Sequence, residues 1–128
     1  MKLVVDTNIL IDHLRKGPIW RQVINETKGT NDLKFFLPTI VIFELFSGTS
    51  SRDILQTKSI HKLINNFKII ELTEKIAERA GELYRDVSKQ LDVPDYIIAA
   101  SALDIGGTIL TLNKKHFKQI PNLPIYPL

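Results

Sequence analysis

At 128 residues, 44% hydrophobic and 24% charged, the chain has the composition of a globular protein and the length at which about two-thirds of the unfolded surface is buried on folding. The absence of cysteine excludes disulfide staples, thiolate metal sites and a cysteine nucleophile, and no run approaches the roughly 20 apolar residues of a membrane-crossing helix. A formal net charge of +3 permits a polyanionic partner without demanding one, so the expectation is one cytoplasmic domain over residues 1–128, away from the membrane.

Leu3 to Asp6 reads as a short apolar strand of the kind buried on both faces of a parallel sheet. Asn8 to Arg15 turns helical, with Ile9, Leu10 and Leu14 on one face, until Gly17-Pro18 stops it; Ile19 to about Lys28 gives a second amphipathic helix before the loop Gly29-Thr30-Asn31-Asp32. Lys34 to Leu37 is the second strand. Pro38-Thr39 then suits a helix start, so Ile40 to Phe46 is read as helix despite its β-branched content, ending at Ser47-Gly48.

From Arg52 to Phe67 the residues Ile54, Leu55, Ile60, Leu63, Ile64 and Phe67 fall at helical spacing, and Lys68 to Leu72 is a third strand. Thr73 is a good N-cap for a helix to about Gln90 that buries Ile76, Ala80, Leu83, Tyr84 and Val87. A further helix from Pro94 to Asp104 is closed by Gly106-Gly107; Thr108 to Leu112 is the fourth strand, Lys114 to Phe117 a single turn, and Ile125-Tyr126 a short edge strand. This alternation predicts an α/β fold, a single-domain parallel sheet of four to five strands with helices on both faces.

Three acids stand where burial discourages them. Asp6 closes Leu3-Val4-Val5, Glu44 interrupts the apolar segment Ile40 to Phe46, and Asp95 immediately precedes Tyr96-Ile97-Ile98-Ala99-Ala100. Buried carboxylates either take up a proton or find a counter-charge, and three that converge repel one another unless a cation joins them. Hard oxygen donors favour Mg²⁺ or Mn²⁺. Taken singly, Asp6 also suits an Asx turn, Glu44 a solvated helix end, and Asp95 the first turn of a helix. His13, His61 and His116 lack a ligand spacing and read as surface or helix histidines. Arg15, Lys16 and Arg21 early in the chain, and Lys114, Lys115 and Lys118 near its end, would flank such a site in a way that suits a phosphate backbone.

The ordered set Val4-Val5-Asp6-Thr7-Asn8, Glu44, Asp95 to Ala102, Leu110-Thr111-Leu112-Asn113 and Lys115-His116-Phe117 resembles the PIN-domain ribonucleases along essentially the whole chain, and within them the VapC-type toxins of toxin-antitoxin pairs. The resemblance implies a metal-dependent endoribonuclease in which Asp6, Glu44 and Asp95 hold Mg²⁺ or Mn²⁺, Asn113 completes the catalytic set, and Thr7, Asn8, Thr111 and Asp92 support it. It further implies an RNA substrate, a small antitoxin protein as partner, and a homodimer. Many members carry a fourth acid near the end of the fourth strand, where this chain has Asn113 and His116; asparagine offers only a neutral carbonyl, which puts a second cation in doubt. The apolar residues Ile40, Phe43, Phe46, Ile54 and Leu55 could line an antitoxin groove, with core packing as the default.

Two other classes are open to test. Phosphoryl transfer by an aspartyl nucleophile usually asks for a second Asp two positions after the first, where this chain has Asn8. A non-cleaving domain that binds RNA or a regulatory partner is suggested only by Asn113.

Overall fold

A computed structural model of the chain describes residues 1–48, 52–87 and 90–128. Four parallel strands, β1 (Lys2–Val5), β2 (Lys34–Pro38), β3 (Lys68–Ile70) and β4 (Thr108–Leu110), form one sheet in the order β3-β2-β1-β4. Leu3 pairs with Phe35 on one side and Thr108 on the other, and Phe36 pairs with Lys68. Between the strands run α1 (Thr7–Leu14), α2 (Ile19–Glu26), α3 (Thr39–Ser47), α4 (Ile54–Ile64), α5 (Glu74–Asp86) and α6 (Val93–Ile105), with the short α7 (Lys114–Phe117) after β4. Right-handed crossovers place the helices between β1, β2 and β3 on one face, and the return from β3 to β4 at the far edge places α5 and α6 on the other. The expected fold class is the observed one.

Apolar burial explains the centre of the sheet: Leu3, Val4 and Val5, like Ile109 and Leu110, are fully enclosed, so β1 is apolar on both faces. Trp20, Phe35 and Phe67 pack ring against ring beside it, with centroids 5.1 and 5.4 Å from the indole. Ile125 meets Ile109 in a single parallel bridge, so the expected edge strand at Ile125-Tyr126 contributes only that contact.

Several element ends differ from the sequence reading, each for a local reason. β3 ends at Ile70 rather than Leu72 because the Leu72 N–H donates to Thr39 Oγ1 at 3.2 Å, outside the ladder. β4 ends at Leu110 because the N–H groups of Leu112 and Asn113 turn to side-chain oxygens of Asn8 and Thr111. α5 ends at Asp86 with Val87 extended; the expected continuation to Gln90 crosses residues 88 and 89, which lie outside the described residues. Tyr84, expected inside, is exposed, its ring set edge-on to buried Tyr96 at 5.4 Å.

α4 begins only at Ile54, where Asp53 Oδ1 accepts from Leu55 N at 2.8 Å, and stops at Ile64. Phe43, Ile54 and Leu55 are exposed, correcting the core reading of these three; Ile40 and Phe46 are partly buried against the core.

Candidate active site

Asp6 follows β1 directly, and its own N–H still donates to Leu110 O at 2.9 Å, the last rung between β1 and β4. The chain leaves β1 toward β2 on one side and returns at β4 on the other, so the carboxyl ends of these two neighbours open a crevice, the usual ligand position of an open α/β sheet. Asp6 is only 4% exposed. Its Oδ1 accepts from Thr7 N and its Oδ2 from Thr111 Oγ1, both at 2.7 Å.

Thr111 fixes the polarity of that contact. Its hydroxyl has one proton to give and two lone pairs to fill, and it receives Asn113 N at 2.9 Å and Asn8 Nδ2 at 3.4 Å. Only the contact with Asp6 remains for its proton, which favours an ionised Asp6. Asn8 closes the loop by accepting from Leu112 N at 3.1 Å through Oδ1, so the first turn of α1 and the end of β4 are joined through two side chains.

Glu44 reaches the same place from α3. Half-buried, it accepts at Oε1 the hydroxyl proton of Thr7 at 2.6 Å. Asp95 arrives at the start of α6, where Asp92 is the N-cap and Asp95 the third helical residue of a reciprocal capping box; Asp92 N donates to Asp95 Oδ2 at 3.3 Å. Asp92 is exposed and its charge acts on Asp95.

Burial pushes the Asp6 carboxyl up to about 6, with repulsion from Asp95 and Glu44 adding to it and the hydrogen bonds from Thr111 and Thr7 opposing it. Burial also raises Asp95, helped by the Glu44 and Asp92 charges and opposed by the Asp92 N–H and by His116. The three acids picked out in the sequence therefore converge closely enough to feel one another. Among the described residues, however, no three acidic or imidazole side chains are grouped to clasp an ion directly.

Asn113 is exposed, between Thr111 and the first turn of α7. His116, one turn further on, reads from the sequence both as an ordinary surface or helix histidine and as the occupant of a position where many family members carry an acid, and its charge bears on Asp95. The signal for it was its place three residues after Asn113, on the helical turn that leaves the site.

The PIN domain model matches residues 3–123. The chain is 29% identical over 123 residues to Ribonuclease VapC19 of Mycobacterium tuberculosis, spanning 96% of this chain and 97% of that one. It is 30% identical to Ribonuclease VapC2 of Rickettsia felis, over 96% and 95% of the two chains. Among solved structures, VapBC2 from Rickettsia felis bound to a DNA fragment from its promoter superposes with a TM-score of 0.82 at 24% identity over 98% of both chains. A toxin-antitoxin complex from Klebsiella pneumoniae gives a TM-score of 0.73 at 28% identity, covering 98% of this chain and 99% of that one.

Proposed function

The chain belongs to the PIN-domain family, and from that premise we propose that it is an endoribonuclease that hydrolyses RNA phosphodiester bonds as the toxin of a toxin-antitoxin pair. One observation carries the reading: Asp6, almost sealed from water and repelled by two further acids, is nevertheless held by donors that favour its charged form. Such an arrangement is costly for a carboxylate alone and suited to one that works beside a cation.

Asp6, Glu44 and Asp95 are assigned as the residues that hold Mg²⁺ or Mn²⁺. The donor set fits: carboxylate and amide oxygens, with no thiolate in the chain. Mg²⁺ keeps several of its waters, which suits acids that face one another without closing a cage. When bound, the ion supplies Lewis acidity toward the phosphodiester and a water of lowered pKa.

The remaining roles fall to neighbouring side chains. Thr111 and the Thr7 N–H orient the two Asp6 oxygens, the Thr7 hydroxyl orients Glu44, and Asn8 holds Thr111 and the end of β4 in register. Asp92 positions Asp95 through the cap of α6, and Asn113 offers a neutral amide oxygen at the rim where an acid is common in the family. His116 moderates the charge on Asp95.

A small antitoxin is the proposed protein partner, with exposed Phe43, Ile54 and Leu55 on the packed pair α3 and α4 as its apolar footing. A homodimer is proposed to form over the apolar hollow between α5 and α6, lined by Leu72, Tyr84, Val93 and Ile97. Among the described residues no helix is long and apolar enough to cross a membrane.

The test is a cleavage-site map on total RNA with wild type and Asp6→Asn side by side, in Mg²⁺, Mn²⁺ or chelator. Discrete cuts that vanish with chelator and with Asp6→Asn are expected. Intact RNA under all conditions, with saturable RNA binding, would instead favour the non-cleaving reading.

A further inference from the structure

The carboxylate crevice adjoins a series of hollows at Glu44, Asn8 and Leu112. Beside it lies a hollow lined by Asn8, Ile11, Arg15 and Leu112; a second, lined by Glu44, shares Ile11 and Arg15 with the first. The second hollow in turn shares Leu14 and Gln56 with a cleft of about 590 Å³ between α1 and α4, lined among others by His13, Lys16 and Lys62. Three depressions are thus strung along α1, leading from the acids to a polar cleft that the proposed hydrolysis does not use.

Acids and bases line this groove in different ways. Each carboxylate is tied to a neutral donor of the fold: Asp12 Oδ2 accepts Ile19 N at 3.2 Å, Asp53 Oδ1 accepts Leu55 N at 2.8 Å, and Glu44 Oε1 accepts the Thr7 hydroxyl. The long cations are not tied. Arg15, Lys16 and Lys62, all exposed, make no ion pair or side-chain hydrogen bond with any described residue, and neither does the buried Nδ1 of His13. Long basic side chains left free at intervals along a groove are the feature that tracks a phosphate backbone.

We propose that a single-stranded RNA leaves the carboxylates along α1, with one phosphate on Arg15 and further phosphates in the α1–α4 cleft on Lys16 and Lys62. The inference rests on the ribonuclease reading for its ligand class and adds a second subsite, remote from the acids, whose role is grip. Arg15 acts as a positioning residue next to the reacting phosphodiester; Lys16 and Lys62 supply affinity that is equal in ground and transition states.

The experiment measures binding of a fluorescein-labelled single-stranded RNA of mixed sequence by anisotropy across a salt series in chelator, followed by cleavage kinetics in Mn²⁺. Each engaged cation releases counterions from a single strand, so Arg15→Gln, Lys16→Gln and Lys62→Gln are each expected to flatten the slope of log K against log salt by about 0.7. Lys75→Gln, on α5 on the other face of the sheet, serves as control and leaves the slope unchanged. In cleavage, Lys16→Gln and Lys62→Gln raise KM with kcat retained, and Arg15→Lys recovers most of what Arg15→Gln loses.

Wild-type slope and affinity in both lysine variants would overturn the subsite. Loss of grip on a protein partner by those variants, with the RNA slope intact, would likewise overturn it by assigning the cleft to protein. Failure of the wild type to cut any RNA, with the slope changes present, would sink the ribonuclease reading and leave the RNA path standing.

Discussion

Asp6 is pulled in two directions, and the balance makes it a measurable probe of the site. Its ordinary value is 3.8 and in the folded chain it rises to about 6, so the native state keeps a proton that the unfolded chain has lost across that interval. Stability from this group is therefore full below about pH 4 and lost as pH rises through about 6, in all about 3 kcal/mol; Asp95, raised for the same reason, has the same sign. In chelator, thermal melts should show the wild type more stable at pH 4.5 than at pH 7.5, and Asp6→Asn, which removes the charge but can accept only one of the two hydrogen bonds, should gain a smaller amount, about 2–5 °C at pH 7.5. A wild-type melt that is flat over this range would count against the burial of Asp6. Thr111→Val tests the other half of the balance. The change removes the donor to Asp6 and leaves Asn113 N and Asn8 Nδ2 without their acceptor, a loss of about 1–3 kcal/mol at neutral pH seen as a lower urea midpoint. At this scale the acids were legible in the sequence because apolar neighbours made them anomalous. The threonines were legible only as supporting residues, since which hydroxyl faces which carboxylate depends on strands that meet 105 positions apart.

The elements were easier to read than their ends. Leu3-Val4-Val5 announces itself by unbroken apolar content and Thr108-Ile109-Leu110 by its β-branched and apolar residues, and Thr73 does cap α5 by accepting Ile76 N at 3.2 Å. What composition could not disclose is where tertiary acceptors take over a backbone N–H, as Thr39 does at Leu72 and Asn8 at Leu112. Neither could it disclose that α3 and α4 turn Phe43, Ile54 and Leu55 outward, because helical spacing marks one face without saying what covers it. The turn from α6 into β4 shows how tightly an element end can be tied to the site. Gly106 ends the helix at φ +64°, a left-handed position that favours glycine, while Gly107 lies so close to β1 that an added Cβ would meet Val4 Cγ2 at 2.8 Å and Lys2 O at 3.4 Å. Gly107→Ala should push β1 away from β4, the pair that carries Asp6 and Thr111, and lower stability by roughly 1–3 kcal/mol. Guanidinium unfolding at pH 7 reads the loss, and an unchanged midpoint would show that Val4 rotates away freely.

At the scale of the whole molecule, the last residues are drawn back onto the body of the fold: Tyr126 donates to Glu26 at 2.7 Å, which pushes the phenol up to about 12, and Lys114 Nζ donates to Leu128 O at 2.9 Å. Among the described residues, the acid cluster carries an internal electrical penalty at neutral pH. A ligand that binds only the native state stabilises it by about 2.7 kcal/mol at a hundred times its Kd, close to the roughly 3 kcal/mol that ionised Asp6 withholds. Divalent ions should therefore do to the wild type what Asp6→Asn does without them. At pH 7.5, saturating Mn²⁺ is expected to raise the wild-type Tm toward that of Asp6→Asn, to leave Asp6→Asn itself nearly unmoved, and to shift the pH of greatest stability from the acid side toward neutrality. An equal rise in both proteins would mean that the ion binds elsewhere, and no rise in either would detach the carboxylate cluster from metal chemistry altogether. The same comparison with Glu44→Gln and Asp95→Asn ranks the three acids by the response each removes, which sequence order alone could not do.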